Sequence, residues 1–325
     1  MKEEVLISII IPTYNRGSLI GATLDSILSQ TYENWECIVV DDGSIDYTKE
    51  LLELYSCKDS RIKYLERPEK KRKGANACRN FGFSRSSGDY ILWFDSDDIM
   101  TIDYFKKAIE KIKTESNLDF VFFNYKIFDE KPFKIIDIQI NKSISPLFDY
   151  FSGKINFSTC GVIWRKESIS IGYNEKLKKT QELDFIFNNY KANTQLKGAH
   201  IDHTAYFLRK HGRSIVSSFK IGDPEFLCSD IFVRKELMDF FKKEEYPLIW
   251  DYQKQEFDKS LKRYLNESPI YDILKNFSFQ LPFKKLFLLI LYRSLYKITG
   301  RDYRLKKILT AISSSPEIIN IPIQC

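Results

Sequence analysis

Three acids stand within four residues at Asp95-Ser96-Asp97-Asp98, directly after the apolar run YILWF of residues 90–94. Carboxylates this close repel one another, and a divalent cation stabilises them best. Hard oxygen ligands suit Mg²⁺ or Mn²⁺, which retain waters and share substrate phosphates. Taken alone, the cluster reads equally well as an acidic loop or as the start of a helix over residues 102–113, because acids are favoured at helix N-termini. A second acidic cluster is Asp41-Asp42-Gly43-Ser44. A carboxylate there can accept from a ribose hydroxyl or a base N–H, or the segment is a tight turn in which Asp46 caps the next helix. Thr13-Tyr14-Asn15-Arg16 offers backbone and side-chain contacts to the same ligand, or forms a loop whose Asn15 or Ser18 caps a helix. The basic run Lys70–Lys73, followed by Arg79, brings positive charge to a helix N-terminus, which suits a diphosphate. Lys70 to Arg72 read as solvated charge. Lys73 and Arg79 are the better phosphate candidates because they bracket Gly74, where backbone can approach a ligand closely.

These residues need elements to hold them, and the first hundred positions alternate strand and helix. Residues 5–11 (VLISIII), 37–40 and 90–94 are short apolar runs, as expected of strands buried on both faces, with Pro12 ending the first. Helical spacing covers 18–30, 47–55 and 75–86, and 62–65 reads as a further strand. Gly88 closes the third helix. This β-α-β-α-β order predicts an α/β fold, an open and mostly parallel sheet with helices on both faces. Ligands then sit beyond the carboxyl ends of the strands, where all three polar segments fall. Further on we expect a helix over 102–113, strands over 120–128, 158–165 and 204–210, and helices over 166–171 and 182–191. After about residue 222 the pattern turns helical: 225–243, 250–265, 271–277, 283–298 and 303–312, broken at Pro247, Pro269, Pro282 and Gly300. A boundary near 221 gives a domain over 1–221, with halves 1–100 and 101–221, and a helical C-terminal region over 222–325.

Composition narrows the function. The chain of 325 residues is 43% hydrophobic and 29% charged, as a folded protein should be. Its net charge of +6 is unevenly spread, because residues 275–307 hold nine basic residues against the single acid Asp302. The remainder is slightly acidic, which argues against a nucleic-acid partner. None of the six cysteines forms a C-x-x-C pair, so a zinc site or redox dithiol has no local support. Met1 to Glu4 carry no apolar signal region and no run reaches 18 apolar residues, so we expect no leader, no spanning helix and a cytoplasmic location. The apolar stretch 286–292, flanked by Lys284, Lys285, Arg293 and Lys297, suits either the surface of an anionic membrane, with the protein peripheral at its cytoplasmic face, or a helix packed on the catalytic domain.

The blocks SIIIPTYNR (8–16), QTYENWECIVVDDGSID (30–46) and KGANACRNFGFSRSSGDYILWFDSDD (73–98) occur in this order and spacing. Together they resemble the family 2 glycosyltransferases of the GT-A fold, over roughly residues 5–215. The segment CGVIWRKESISIGYNEKL (160–177) resembles the acceptor side of that family, QELDF (181–185) its Glu-Asp block and LRKHGRSI (208–215) its Arg-x-His block. The resemblance implies a nucleotide-diphosphate sugar donor, uridine being the expected base, a divalent metal, and direct displacement with inversion. It implies a glycan or lipid-linked acceptor in cell-surface polysaccharide synthesis. Residue by residue, it implies nucleotide contacts at Pro12, Thr13, Tyr14, Arg16, Asp41, Asp42, Gly43, Lys73, Arg79, Asp95 and Ser96, with Asp42 reading the base. Metal falls to Asp97 and Asp95, with Asp98 and His211 beside them. The catalytic base falls on Glu182, with Asp184 as its rival. Gln181-Glu182 departs from the family's usual Glu-Asp, keeping a carboxylate but moving it by a methylene. His200 and His203 match nothing and read as structural, while Trp164 reads as core or as acceptor-pocket lining. The chief alternative is a catalytically silent nucleotide-sugar-binding protein on the same fold, against which the intact acidic motif and Glu182 speak.

Overall fold

A computed structural model of the chain describes residues 4–130, 133–140, 143, 145–210 and 223–267. The expected helices over 271–277, 283–298 and 303–312, the basic stretch 275–307 and His211 lie outside these residues. The described residues fall into two compact units, one built from 4–175 and 181–210, the other from 176–180 and 223–267.

The first unit is a mixed nine-stranded sheet flanked by helices. In chain order come β1 (Ile7–Thr13), α1 (Gly17–Leu28), β2 (Trp35–Asp41), α2 (Thr48–Lys58), β3 (Ile62–Glu66), α3 (Ala75–Arg85), β4 (Tyr90–Trp93), β5 (Ile99–Met100) and α4 (Tyr104–Thr114). They are followed by β6 (Phe120–Glu130), β7 (Phe133–Ile138), α5 (Pro146–Phe151), β8 (Val162–Arg165), α6 (Gln181–Ala192) and β9 (Gly198–Lys210). The sheet order is β3-β2-β1-β4-β8-β6-β9-β5, with β7 added to β6. The first four strands are parallel, while β8 runs antiparallel to both β4 and β6. Every residue of β1, β2 and β4 is buried, which is why these strands read as continuous apolar runs. The chain leaves β1 for β2 on one side and reaches β4 on the other, so the crevice between the ends of β1 and β4 is a topological switch point.

Pro12 does not end β1. The Phe94 N–H donates to the Ile10 carbonyl, so Ile10 and Pro12 face β4, whose paired register stops at Trp93 opposite Ile10. The missing proline N–H therefore costs no ladder bond, and the strand runs on to Thr13. The expected strand over 158–165 is a 3₁₀ turn at Thr159–Gly161 followed by β8, and the expected helix over 166–171 is one 3₁₀ turn at Lys166–Ser168. Helix α3 lies close on the sheet because a Cβ at Gly82 would stand 2.4 Å from Ile10 Cγ2. Helix α4 buries Tyr104, Phe105, Ala108, Ile109 and Ile112, the spacing of a single helical face.

The second unit packs α7 (Pro224–Phe240) on α8 (Pro247–Glu267). Pro224 and Pro247 each open a helix, where a missing N–H is harmless. Ser229 Oγ takes the Lys178 N–H at 3.1 Å, and buried Asp230 accepts from Ser260 and pairs with Lys179 at 3.5 Å. No helix among the described residues is long and apolar enough to cross a membrane.

Candidate active site

The carboxyl ends of β1 and β2 are laced together. Asp42 N–H donates to the Thr13 carbonyl, and the Asn15 N–H donates to Ser44 Oγ at 2.8 Å. Ser44 in turn donates its hydroxyl to Asp41 at 2.5 Å, and its N–H lies 3.1 Å from the same carboxylate. Asp41 thus closes its own turn, which Gly43 permits by adopting φ +84°. Asp46 accepts from the N–H groups of Gly17 and Thr48, so it serves the starts of both α1 and α2. Asp42 is buried and held by the Arg67 guanidinium, which also donates to the carbonyls of Pro68 and Lys71. Thr13 Oγ1 is buried without a hydrogen-bond partner, a polar atom left for a ligand at the end of the strand. Tyr14 is exposed, and Lys73 Nζ lies 4.7 Å from its ring centroid.

Beyond β4 the acids split into different environments. The Asp95 side chain is 42% exposed and pairs with Arg79 Nη2 at 3.0 Å. Arg16 Nε lies 3.5 Å from Asp97, whose carbonyl takes the Arg209 Nε–H. Asp98 is 3% exposed and accepts the Arg209 N–H at 2.9 Å, while its own carbonyl takes the Thr23 hydroxyl. Burial, with Asp95 and Asp97 beside it, pushes the Asp98 carboxyl well above the usual range. Ser96 is buried between these acids. One ligand atom each from Asp95, Asp98 and Cys160 lies within 4.8 Å of the others. The partly exposed oxygens of Asp95 and Asp97 fit a hard divalent cation such as Mg²⁺ or Mn²⁺. Asp98 is turned inward and ties β9 to this loop.

Arg79 is 7% exposed and reaches three ways: to Asp95, to Asn76 Oδ1 at 3.0 Å and to Gln181 Oε1 at 3.1 Å. It also lies over the Tyr173 ring at 5.2 Å. Arg79 therefore links the acidic loop to the first residue of α6, and Glu182 follows. Glu182 Oε1 accepts the Thr159 N–H at 2.7 Å. Its side chain lines a small crevice with Thr159, Trp93, Trp164, Tyr173 and Phe185. Burial raises its pKa, Asp95 adds to the rise, and the Thr159 N–H and Arg79 oppose it. Asp184, its rival, is 3% exposed and does not line that crevice.

Trp164 is both buried and part of the crevice wall. His200 bonds Asn124 at 2.9 Å and stacks on Phe122, while His203 pairs with Asp103 at 3.0 Å. Both occupy β9 beside its register shifts against β6. Arg67, Thr159 and Cys160 are not among the site residues expected from sequence, and Arg209 enters there only as the arginine of the Arg-x-His block. Arg67 stands shortly before Lys70–Arg72, the residues read as solvated charge, and its only sequence signal is its place right after β3. Thr159 and Cys160 act through tertiary contacts that spacing does not encode.

The family model described as "Glycosyl transferase family 2" matches residues 8–209. Glycosyltransferase GlyG of Streptococcus pneumoniae serotype 4 is 37% identical over 125 residues, which are 38% of this chain and 40% of that protein. The UDP-Glc:alpha-D-GlcNAc-diphosphoundecaprenol beta-1,3-glucosyltransferase WfgD of Escherichia coli is 38% identical over 125 residues, covering 38% of this chain and 47% of that protein. The matched part thus spans less than half the length of either relative. Among solved structures, S. aureus TarS 1-349 in complex with UDP-GlcNAc is similar at a TM-score of 0.60 and 21% identity, over 86% of this chain and 77% of that one. That likeness is one of fold, and the fold is GT-A.

Proposed function

The chain belongs to glycosyl transferase family 2, and on that footing we propose that it is an inverting, metal-dependent glycosyltransferase. It moves a hexosyl or N-acetylhexosaminyl group from a nucleotide-diphosphate sugar to a hydroxyl of a glycan or lipid-linked acceptor, in cell-surface polysaccharide synthesis. The relative WfgD is named for a UDP-Glc donor and a diphosphoundecaprenol-linked acceptor, and TarS was solved with UDP-GlcNAc. Both names support a UDP-sugar here.

One observation carries the reading. Arg79 bridges Asp95 and Gln181, so the acidic loop suited to a metal-diphosphate is tied by a single buried guanidinium to the start of α6, where Glu182 is the next residue. In the proposed step Glu182 takes the proton of the acceptor hydroxyl. A bond forms from that oxygen to the anomeric carbon as the bond to the diphosphate oxygen breaks, and the electron pair leaves with the nucleoside diphosphate. A bound divalent cation would supply positive charge for that leaving group. Thr13, Tyr14 and Asp42, the last oriented by Arg67, hold the nucleoside. Asp95 and Asp97 hold the cation, with Asp98 and His211 as expected neighbours. The division into a catalytic domain over 1–221 and a helical region over 222–325, with a basic stretch for anionic membrane, is proposed in the same sense.

Glu182→Gln tests the assignment. The variant should bind UDP-sugar in calorimetry with unchanged affinity and lose transfer by about 10²–10⁴-fold, the usual share of general-base catalysis. Normal turnover would transfer the role to Asp184.

A further inference from the structure

We propose that the turn Thr159–Cys160 is a positioning element that fixes the spacing between the base carboxylate and the donor-side acids, an inference that rests on the transferase reading. Two adjacent groups of this turn reach both sides. The Thr159 N–H donates to Glu182 Oε1 at 2.7 Å. Cys160 Sγ accepts the Asp95 N–H at 3.2 Å. Cys160 Sγ also lies within 4.8 Å of a carboxylate oxygen of Asp98. A buried free cysteine ordinarily behaves as a small apolar residue with a weak S–H. Cys160 is 1% exposed, yet its sulfur accepts a backbone N–H from the acidic loop.

The turn is itself anchored. Tyr104 Oη of α4 donates to the Cys160 carbonyl at 2.8 Å, and Ser158 Oγ bonds Tyr206 Oη of β9. A Cβ at Gly161 would stand 3.1 Å from the Tyr206 ring, so the turn lies against that tyrosine. Cys160 takes the backbone N–H of Asp95, which leaves the partly exposed Asp95 carboxylate to pair with Arg79. The same turn therefore sets the path of the acidic loop and the aim of Glu182. Groups that orient metal-binding carboxylates from behind typically change metal affinity 10–100-fold when removed.

The full chain with Cys160→Ala and Cys160→Ser tests this, because the two roles for Cys160 predict opposite orders. A positioning thiol requires Ser to outperform Ala. Mn²⁺ binding in the presence of UDP, read from the free-ion EPR signal, should weaken about 10-fold in Ala and stay within about threefold of wild type in Ser. The metal-free melting temperature should follow the same order. An apolar filler predicts Ala equal to or better than Ser in both readouts, and that result overturns the proposal. Thr159→Pro supplies the other arm: it removes the N–H at the first position of a 3₁₀ turn, where proline is tolerated. Its kcat should fall about 10-fold with donor KM unchanged, in line with a misaimed base. The acid limb of its pH profile should move upward, because the N–H that favours the ionised Glu182 is gone. An unmoved kcat and acid limb overturn this arm. If wild type neither transfers nor hydrolyses any donor, the transferase reading fails, while the Ala and Ser order in melting temperature still decides the role of Cys160.

Discussion

Glu182 is the proposed base, and its surroundings give it a pH signature. Burial and the nearby Asp95 raise its pKa, so it ionises above the usual carboxylate range. A base works only when ionised, so kcat should climb with pH through that raised value, and the acid limb should vanish from any residual activity of Glu182→Gln. The stability consequence has the opposite sign. A carboxyl with a raised folded-state pKa favours folding while protonated, and that contribution is lost as pH rises through the raised value. Glu182→Gln should therefore melt no lower than wild type at pH 8, read by calorimetry; a marked fall would show that the ionised carboxylate is structurally needed. Arg67 has a separate role. Removing it leaves the buried Asp42 carboxylate without its charge partner, so Arg67→Met should raise donor KM about 10-fold or more with little change in kcat, as loss of a charged hydrogen bond of about 1.5–3 kcal/mol requires. An unchanged KM would detach Asp42 from nucleoside binding.

At the scale of elements, Glu36 in β2 is a strap across the sheet. It accepts from Ser8 of β1 at 2.6 Å, from the Ser87 N–H at 2.6 Å and from Lys63 of β3 at 2.7 Å. Although burial alone would raise its pKa, the Lys63, Ser8 and Ser87 bonds lower it to about 2. Its stabilisation is present above the ordinary glutamate pKa and is lost as pH falls toward that lowered value. Glu36→Gln should cost about 3 kcal/mol at pH 7 and almost nothing at pH 2, measured by denaturant unfolding. Gly82→Ala should lower stability by about 1–3 kcal/mol, because its Cβ would collide with Ile10. The elements that sequence reveals and those it hides differ in a physical way. β1, β2 and β4 are legible because both faces are buried, and α4 because one face is. β5 is two residues long, too short for any period. β7 leaves Ile135 and Ile136 exposed, so its pattern does not report a buried face. α5 has only six residues and begins at Pro146. The acids of the site are equally legible, since they sit where buried strands end. Arg67, Thr159 and Cys160 gain their contacts only when distant segments meet.

For the molecule as a whole, charge and chemistry are separated along the chain. The acids that could hold a metal-diphosphate lie within residues 8–209, the part matched by the family, whereas the excess positive charge lies in 275–307. Nine basic residues there, each worth about 1 kcal/mol near an anionic surface, support the proposed contact with an anionic membrane. Deleting 275–325 should abolish sedimentation with phosphatidylglycerol vesicles at low salt and leave donor binding intact; unchanged sedimentation would place the membrane contact elsewhere or nowhere.

If one site combines a metal-held nucleotide sugar with a carboxylate base, release of nucleoside diphosphate reads it directly. Purified protein with Mn²⁺ is presented with a panel of nucleotide sugars. The predicted result is release from a UDP-sugar that stops on chelation and is lost in Asp97→Asn. Binding of a nucleotide sugar with no release from any member of the panel, even with lipid-linked and glycan acceptors supplied, would contradict it.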